Sequence, residues 1–292
     1  MNIDGKQCAN DLNLATKECV DLLRGKHNLV PALAVVLVGE DAASQVYVRN
    51  KVKQAETVGM VSLEHRLPTA TTMDELLALV QKLNEDPSVN GILVQLPLPS
   101  HIDEGAVIEQ ISAEKDVDGF HEINSGRLLN GDPRALVPCT PQGCVILAKR
   151  ALGADLRGKH AVVIGRSNIV GKPLGVLLLR EHCSVSIVHS HTRDIEAIAR
   201  LADILFVAVG RPNLVNANWV KPGATVIDVG INRVEDAEGK SRLVGDVDFD
   251  AVSPLVAHIT PVPGGVGPMT IACLLKNTVV ATCNQYGIAD LP

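Results

Sequence analysis

His160-Ala161-Val162-Val163-Ile164-Gly165-Arg166-Ser167-Asn168-Ile169-Val170-Gly171-Lys172-Pro173 reads as a strand, a turn and the start of a helix. After His160 the first run is wholly apolar, as a strand buried on both faces requires. Gly165 breaks the run, and Gly171–Arg180 continues as a helix. Such a turn aims backbone N–H groups and the positive end of the helix dipole at one point, where a phosphate fits. The glycines stand too far apart for a G-x-G-x-x-G fingerprint. Position rather than pattern therefore supports a dinucleotide fold, and an ordinary strand-to-helix turn uses the same residues.

Alternation continues on both sides of this stretch. Downstream lie a strand at Ser184–Val188, a short helix at Ile195–Leu201, and strands at Ile204–Ala208 and Ala224–Val229; a helix at Gln142–Ala151 precedes the series. Upstream, Leu33–Val38, Val61–Leu67 and Gly91–Gln95 read as strands, with helices at Ser44–Val58 and Met73–Asn84 between them. The third strand stops at Leu96-Pro97-Leu98-Pro99, because proline cannot continue a central strand. Two such series predict an α/β protein of two lobes with mostly parallel sheets, the second Rossmann-like. The lobes are expected to join near Pro138–Pro141 and Pro261–Pro268. Residues 1–138 plus 268–292 then form one domain and 139–267 the other. A final helix from Met269 to about Gln285 returns to the first lobe, which places the preceding Pro-Gly stretch at the domain cleft.

Bulk properties narrow the function. The chain has 292 residues, long enough for two cores. Hydrophobic residues make up 46% and aromatics only 2%, so the cores are built of Val, Ile, Leu and Ala. With Tyr47 and Tyr286 the only tyrosines, a stacking platform for nucleic acid is not expected. The formal charge of −6, with no basic block, disfavours nucleic acid and anionic membrane surfaces as partners. Met1–Asp11 lacks a basic and an apolar region, so no secretory signal is read. No uninterrupted apolar run reaches membrane-spanning length. Seven widely spaced cysteines without a CxxC suit reduced thiols in the cytoplasm, and His65, His101 and His258 lack metal-ligand spacing.

Several short constellations carry chemistry. Where an NAD site places an acid after its second strand, Val188-His189-Ser190-His191-Thr192 has none. Arg166 and Ser167 in the first turn suit a 2′-phosphate, which predicts NADP over NAD. Tyr47 and Lys51 stand four apart on one helix face. In a partly dry cleft, a lysine beside a phenol can do acid/base work; on an open surface the same pair merely snorkels. Gln95 ends a parallel strand, where open α/β sheets place ligands. Lys115-Asp116-Val117-Asp118-Gly119 offers carboxylates before a glycine, either of which also suits a turn cap. Pro263-Gly264-Gly265-Val266-Gly267-Pro268-Met269-Thr270-Ile271 gives a stiff, bare backbone against which a flat ligand can lie, or a tight loop before a helix.

Val94-Gln95-Leu96-Pro97-Leu98, Tyr47-x-x-x-Lys51, Lys115 to Gly119, Gly165-Arg166-Ser167 and Pro263 to Ile271 occur together and in order. In this the chain resembles the bifunctional methylenetetrahydrofolate dehydrogenase/methenyltetrahydrofolate cyclohydrolase family over essentially its whole length. The resemblance implies NADP-dependent oxidation of 5,10-methylenetetrahydrofolate, then hydrolysis to 10-formyltetrahydrofolate, in cytoplasmic one-carbon metabolism that supplies purine biosynthesis. Lys51 would be the central cyclohydrolase residue, with Tyr47 against the folate, Gln95 orienting Lys51 and water, and Asp118 binding the amino edge of the pterin; Asp116 would be structural. Val94, Leu96, Pro263, Gly264 and Gly267 would line the folate slot. Gly165, Arg166 and Ser167 would hold the adenosine phosphates, with Ser190 near the 2′-phosphate and Thr140 and Ile231 near the nicotinamide. The family also implies tetrahydrofolate derivatives as small-molecule partners and a homodimer formed through the nucleotide-binding lobe; the histidine and cysteine spacing already leaves no metal expected. Two rivals remain: a two-lobed NADP-dependent dehydrogenase of a hydroxy acid or shikimate-like substrate, and a non-catalytic NADP-binding module.

Overall fold

The computed structural model describes residues 1–235 and 241–289. The chain forms two compact units, Asp11–Val137 with Leu274–Pro292, and Met1–Asn10 with Pro138–Cys273. The first ten residues group with the second of these because Ile3 N donates to Ile259 O at 2.8 Å and Asn2 bridges Ile259 in parallel. The later boundary falls after Cys273, inside the last helix.

The three-stranded unit follows the order α1 (Gly5–His27), β1 (Ala32–Val38), α2 (Ala42–Thr57), β2 (Val61–Leu67), α3 (Met73–Glu85), β3 (Gly91–Val94), α4 (Glu104–Gln110) and α5 (Glu122–Asn130). Its strands pair in parallel in the order β2-β1-β3. Central β1 is buried at all seven positions, which is why its sequence is continuously apolar. Edge strand β2 shows an intermittent pattern instead. Ala34, Val36 and Val38 pack with Leu76, Val80 and Leu83 of α3. Thr72 and Glu75 close a reciprocal capping box at the start of α3. The amino-terminal stretch, polar at its start, belongs to a 23-residue helix that buries Val20 and Leu23 completely. Helices α4 and α5 are likewise beyond the elements expected from sequence. Both are short, and single Asp103 and His121 caps start them.

The five-stranded unit contains α6 (Cys139–Leu152), β4 (His160–Ile164), α7 (Gly171–Arg180), β5 (Ser184–Val188), α8 (Ile195–Ala199), β6 (Ile204–Val207), β7 (Thr225–Asp228), the antiparallel pair β8 (Asn232–Glu235) and β9 (Ser241–Val244), α9 (Phe249–Val252), β10 (His258–Ile259) and the start of α10 (Val266–Tyr286). The sheet is parallel, in the order β10-β7-β6-β4-β5. The chain moves from β4 outward to β5 and then returns to the other side of β4 as β6. That reversal is the switch point at which open α/β sheets bind ligands.

Helix α10 is long and apolar enough, by length and composition, to cross a membrane, but Lys276 and Asn277 interrupt its apolar run and 72% of its apolar window is buried in the protein. Its later turns belong to the three-stranded unit. There Asn277 Nδ2 donates to Val117 O and Val137 O, both at 2.8 Å. Gln285 Nε2 donates to Asn90 O and Glu114 O at 2.8 and 2.9 Å.

One buried lysine carries much of this unit. Lys115 Nζ donates to Leu83 O, Asn84 O and Asp86 O at 3.1, 2.8 and 2.7 Å. It thus places a cation on the orphan carbonyls that end α3. Lys115→Met is expected to lower the unfolding free energy by about 2–4 kcal/mol in chemical denaturation, since hydrogen bonds to charged groups are the strong ones. A loss below about 0.5 kcal/mol, the scale of a neutral surface change, would contradict this role.

Candidate active site

In the three-stranded unit, Asp41 caps α2 by accepting from Ser44 N at 2.7 Å. The helix buries Ser44, Val48, Lys51 and Ala55, a stripe at helical spacing that carries Lys51 into the interior. Lys51 is 7% exposed, and its Nζ donates to Gln95 Oε1 at 2.9 Å. Gln95 stands one residue beyond β3. Its backbone N donates to Val36 O at 2.8 Å and its Nε2 to Leu96 O at 2.6 Å. With both nitrogens committed, the amide oxygen has a fixed direction, toward Lys51. Tyr47 lies half-buried one turn before Lys51, and burial raises its phenol pKa, so it remains a neutral hydrogen-bonding group. Val94 is buried and Leu96 half-buried beside Gln95.

The Lys115–Gly119 stretch divides its work. Lys115 caps α3. Asp116 is 2% exposed and accepts from Gly119 N, His121 N and Asn124 Nδ2 at 3.1, 2.9 and 2.9 Å, which closes the turn. Val117 is fully buried. A Cβ on Gly91 would come within 2.6 Å of its Cγ1, so β3 passes this turn as closely as a backbone can. Asp118 is left over: among the described residues none donates a hydrogen bond to its carboxylate. Burial pushes that carboxyl up to about 6; the Lys51 charge opposes the rise and the Asp116 charge adds to it. Asp118 and Lys51 therefore share one electrostatic site, with an acceptor open to a ligand.

In the five-stranded unit the turn after β4 is built by close approach. Gly165 has φ +124°, and a Cβ there would sit 2.2 Å from Ala208 O. Gly171 would likewise meet Gly165 O at 2.2 Å. Both glycines are required, which leaves a bare cradle at the head of α7, and a dinucleotide phosphate fits such a surface. Ser167 takes a more structural part than expected: its Oγ accepts from Val170 N and Gly171 N at 3.1 and 3.4 Å, bracing the turn that leads into α7. Arg166 and Ser190 are exposed, at the exits of β4 and β5. No acid stands between Val188 and Arg193. Thr140 and Thr270 share a hydroxyl hydrogen bond of 2.9 Å, which joins the starts of α6 and α10. A Cβ on Gly267 would lie 3.4 Å from Ile231 Cδ1, so the residue expected at the nicotinamide borders the Pro263–Gly267 wall. In that wall, Gly264 has φ +105°.

Two further residues escaped the sequence analysis. Asp228 and Asp246 are 3% and 0% exposed, and each accepts several N–H groups at the exits of β6 and β7. Their signal lay in Asp228-Val229-Gly230 and Gly245-Asp246, acids next to glycines at strand ends. A Cβ on Gly245 would lie 1.8 Å from Asp228 Oδ2.

Comparison with known proteins agrees across the whole chain. The tetrahydrofolate dehydrogenase/cyclohydrolase catalytic domain matches residues 3–118, and the NAD(P)-binding domain of the same name matches residues 138–286. The bifunctional protein FolD 2 of Paracoccus denitrificans is 59% identical over 288 residues, which cover 99% of this chain and 94% of that protein. The bifunctional FolD methylenetetrahydrofolate dehydrogenase/cyclohydrolase of Campylobacter jejuni superposes with a TM-score of 0.91 at 48% identity, covering 98% of this chain and 99% of that one. A Trypanosoma brucei enzyme of the same type, solved with NADP and an inhibitor, gives 0.90 at 41% identity, covering 98% of each. The chain belongs to the tetrahydrofolate dehydrogenase/cyclohydrolase family.

Proposed function

We propose that this chain oxidises 5,10-methylenetetrahydrofolate to the 5,10-methenyl form with NADP⁺ and hydrolyses that product to 10-formyltetrahydrofolate. The observation that carries the reading is the buried Lys51–Gln95 hydrogen bond beside an Asp118 carboxylate with no donor among the described residues. Neither rival reading gives these three residues a joint purpose.

NADP⁺, when bound, accepts the hydride that leaves the methylene carbon. The resulting methenyl cation is stabilised by resonance, so the protein needs no proton transfer at this stage; it needs to hold two flat rings in place. Pro263, Gly264 and Gly267 supply bare backbone, Val94 and Leu96 apolar walls, and Asp118 an acceptor for the amino edge of the pterin. With NADP⁺ bound, Gly165, Arg166 and Ser167 would hold the adenosine phosphates, Ser190 would lie near the 2′-phosphate, and Thr140 and Ile231 near the nicotinamide. Residues 11–137 with the end of α10 are read as the folate unit, and the five-stranded unit as the nucleotide unit.

Hydrolysis does require protons to move. Lys51, deprotonated for this step, takes a proton from water as the water oxygen bonds to the methenyl carbon; the carbonyl then forms as the hydroxyl proton leaves and the ring C–N bond breaks, that nitrogen is protonated, and one proton is released overall. Gln95 fixes the lysine, and Tyr47 packs against the folate as a neutral phenol. The chain is read as a cytoplasmic homodimer, associated through the nucleotide unit and working in the one-carbon supply to purine synthesis; sedimentation velocity tests the assembly.

Two outcomes follow from the Lys51–Asp118 site. Lys51→Met is expected to lower cyclohydrolase at least about 100-fold, the scale of lost acid–base catalysis, with dehydrogenase still measurable and methenyl-folate accumulating. Equal loss of both activities in a folded variant would refute the division of labour.

Asp118 offers the pterin two acceptor oxygens and a negative charge only when ionised, so folate affinity should weaken as pH falls through about 6. Its folded pKa lies above the ordinary 3.8, so the native state keeps a proton that the unfolded chain has lost between those values. The stabilising effect of that proton is gone above the folded pKa. Asp118→Asn should therefore raise the melting temperature at neutral pH while weakening folate binding, damaging both activities and flattening the pH profile. Wild-type folate affinity in this variant would remove Asp118 from the pterin site.

A further inference from the structure

Neither reaction as described uses the buried pair Asp228 and Asp246. Asp246 Oδ2 accepts from Val209 N and Gly210 N at 2.7 and 2.9 Å, and its Oδ1 from Arg211 N and Asn232 Nδ2, both at 2.8 Å. Asp228 Oδ1 accepts from Gly230 N and Asp246 N, and its Oδ2 from Val247 N, all at 3.0 Å. Among the described residues no cationic side chain pairs with either carboxylate. Burial pushes the Asp228 carboxyl up to about 6 against the pull of its three N–H bonds, and the Asp246 charge adds to the rise.

Such a pair is an expensive way to obtain stability alone, because a buried charge loses its hydration and an apolar residue of similar size avoids that loss. What the pair does obtain is geometry. Three successive amides, Val209 to Arg211, converge on one carboxylate, and that carboxylate also holds the side chain next to Ile231. A Cβ on Gly230 would lie 2.3 Å from Asp246 Cγ, so the loop after β7 is pressed directly onto the acid.

The sheet order says which part of the nucleotide these loops serve. Ser190, read at the 2′-phosphate, follows β5, and the phosphate cradle follows β4. Strands β6 and β7 lie on the opposite side of β4 from β5. A dinucleotide extended across the strand ends therefore has its nicotinamide half over the exits of β6 and β7. These are the two loops that Asp246 ties together.

We propose that Asp246 is the positioning residue for the nicotinamide half of the NADP site, acting through the amides of residues 209–211 and through Asn232 on Ile231. The proposal rests on the NADP reading above.

The test uses the full-length protein and Asp246→Asn, which keeps the size but turns a donor toward the converging N–H groups. NADP⁺ and adenosine 2′,5′-bisphosphate, which lacks the nicotinamide half, are titrated by calorimetry. Cyclohydrolase is assayed on methenyl-folate without nucleotide. The expected result is about tenfold or greater loss of NADP⁺ affinity, with bisphosphate affinity and cyclohydrolase within about twofold of wild type. Unchanged NADP⁺ affinity overturns the proposal, as does an equal loss for both nucleotides, which would mark a general structural role. Failure of the wild type to bind either nucleotide would instead sink the NADP reading itself. If Asp246→Asn does not fold, Asn232→Ala removes one donor and leaves the carboxylate on its three amides. The same pattern at about threefold is then expected, and unchanged NADP⁺ affinity overturns the proposal.

Discussion

A lysine ammonium buried against a glutamine oxygen at 2.9 Å sets the terms for the three-stranded unit. Burying Lys51 is tolerable only if its partner cannot turn away, and Gln95 cannot, because its two nitrogens are bonded to Val36 O and Leu96 O. Val36 in turn lies in the middle of the unit, on the strand buried at every position. Lys51 is thus referenced to the strand that is buried at every position. Lys115 and Asp116 do the same for Asp118, one by closing α3 and the other by closing the turn. Neighbouring ionisable residues in the Lys115–Asp118 stretch have opposite tasks: two are fully bonded so that the third can stay open.

Much of this arrangement was legible beforehand, for identifiable reasons. The buried parallel strands announced themselves because a strand covered on both faces has no room for polar residues, so β1, β4 and β6 stand out as apolar runs. Glycines forced by close backbone approach, such as Gly165 and Gly171, marked the cradle. The place of Tyr47 one turn before Lys51 on one helix, and of Gln95 at a strand end, followed from helical spacing and sheet direction. What spacing could not convey was partnership. Nothing in Lys115-Asp116-Val117-Asp118 says which members face the protein, and the answer depends on carbonyls of α3 about thirty residues earlier. Ser167 looked like a phosphate ligand, but its hydroxyl also braces the turn that leads into α7. Helix α1 was missed because its apolar positions are sparse among polar ones, and Asp228 and Asp246 because a buried acid looks in sequence like an exposed one.

The two units solve a similar problem with opposite charges. The three-stranded unit buries a lysine and gathers carbonyl oxygens around the cation next to its turn. The five-stranded unit buries carboxylates and gathers amides around them. In both, backbone groups at strand and helix ends, which would otherwise need water, are satisfied by a side-chain charge. Loops at the strand ends are thereby tied to buried side chains by several hydrogen bonds each.

The assignment of segments to units has a consequence for how such a protein can be divided. The chain passes from one unit to the other after Asn10, after Val137 and after Cys273, and the first and last passages lie within α1 and α10. A single cut of the polypeptide therefore frees neither unit, and a cut at either outer passage severs a helix in mid-course. Splitting the gene once, or borrowing one unit for another protein, leaves each fragment with a broken helix or a missing one. The two activities are bound to one reading frame by topology, independently of any advantage in passing an intermediate between them.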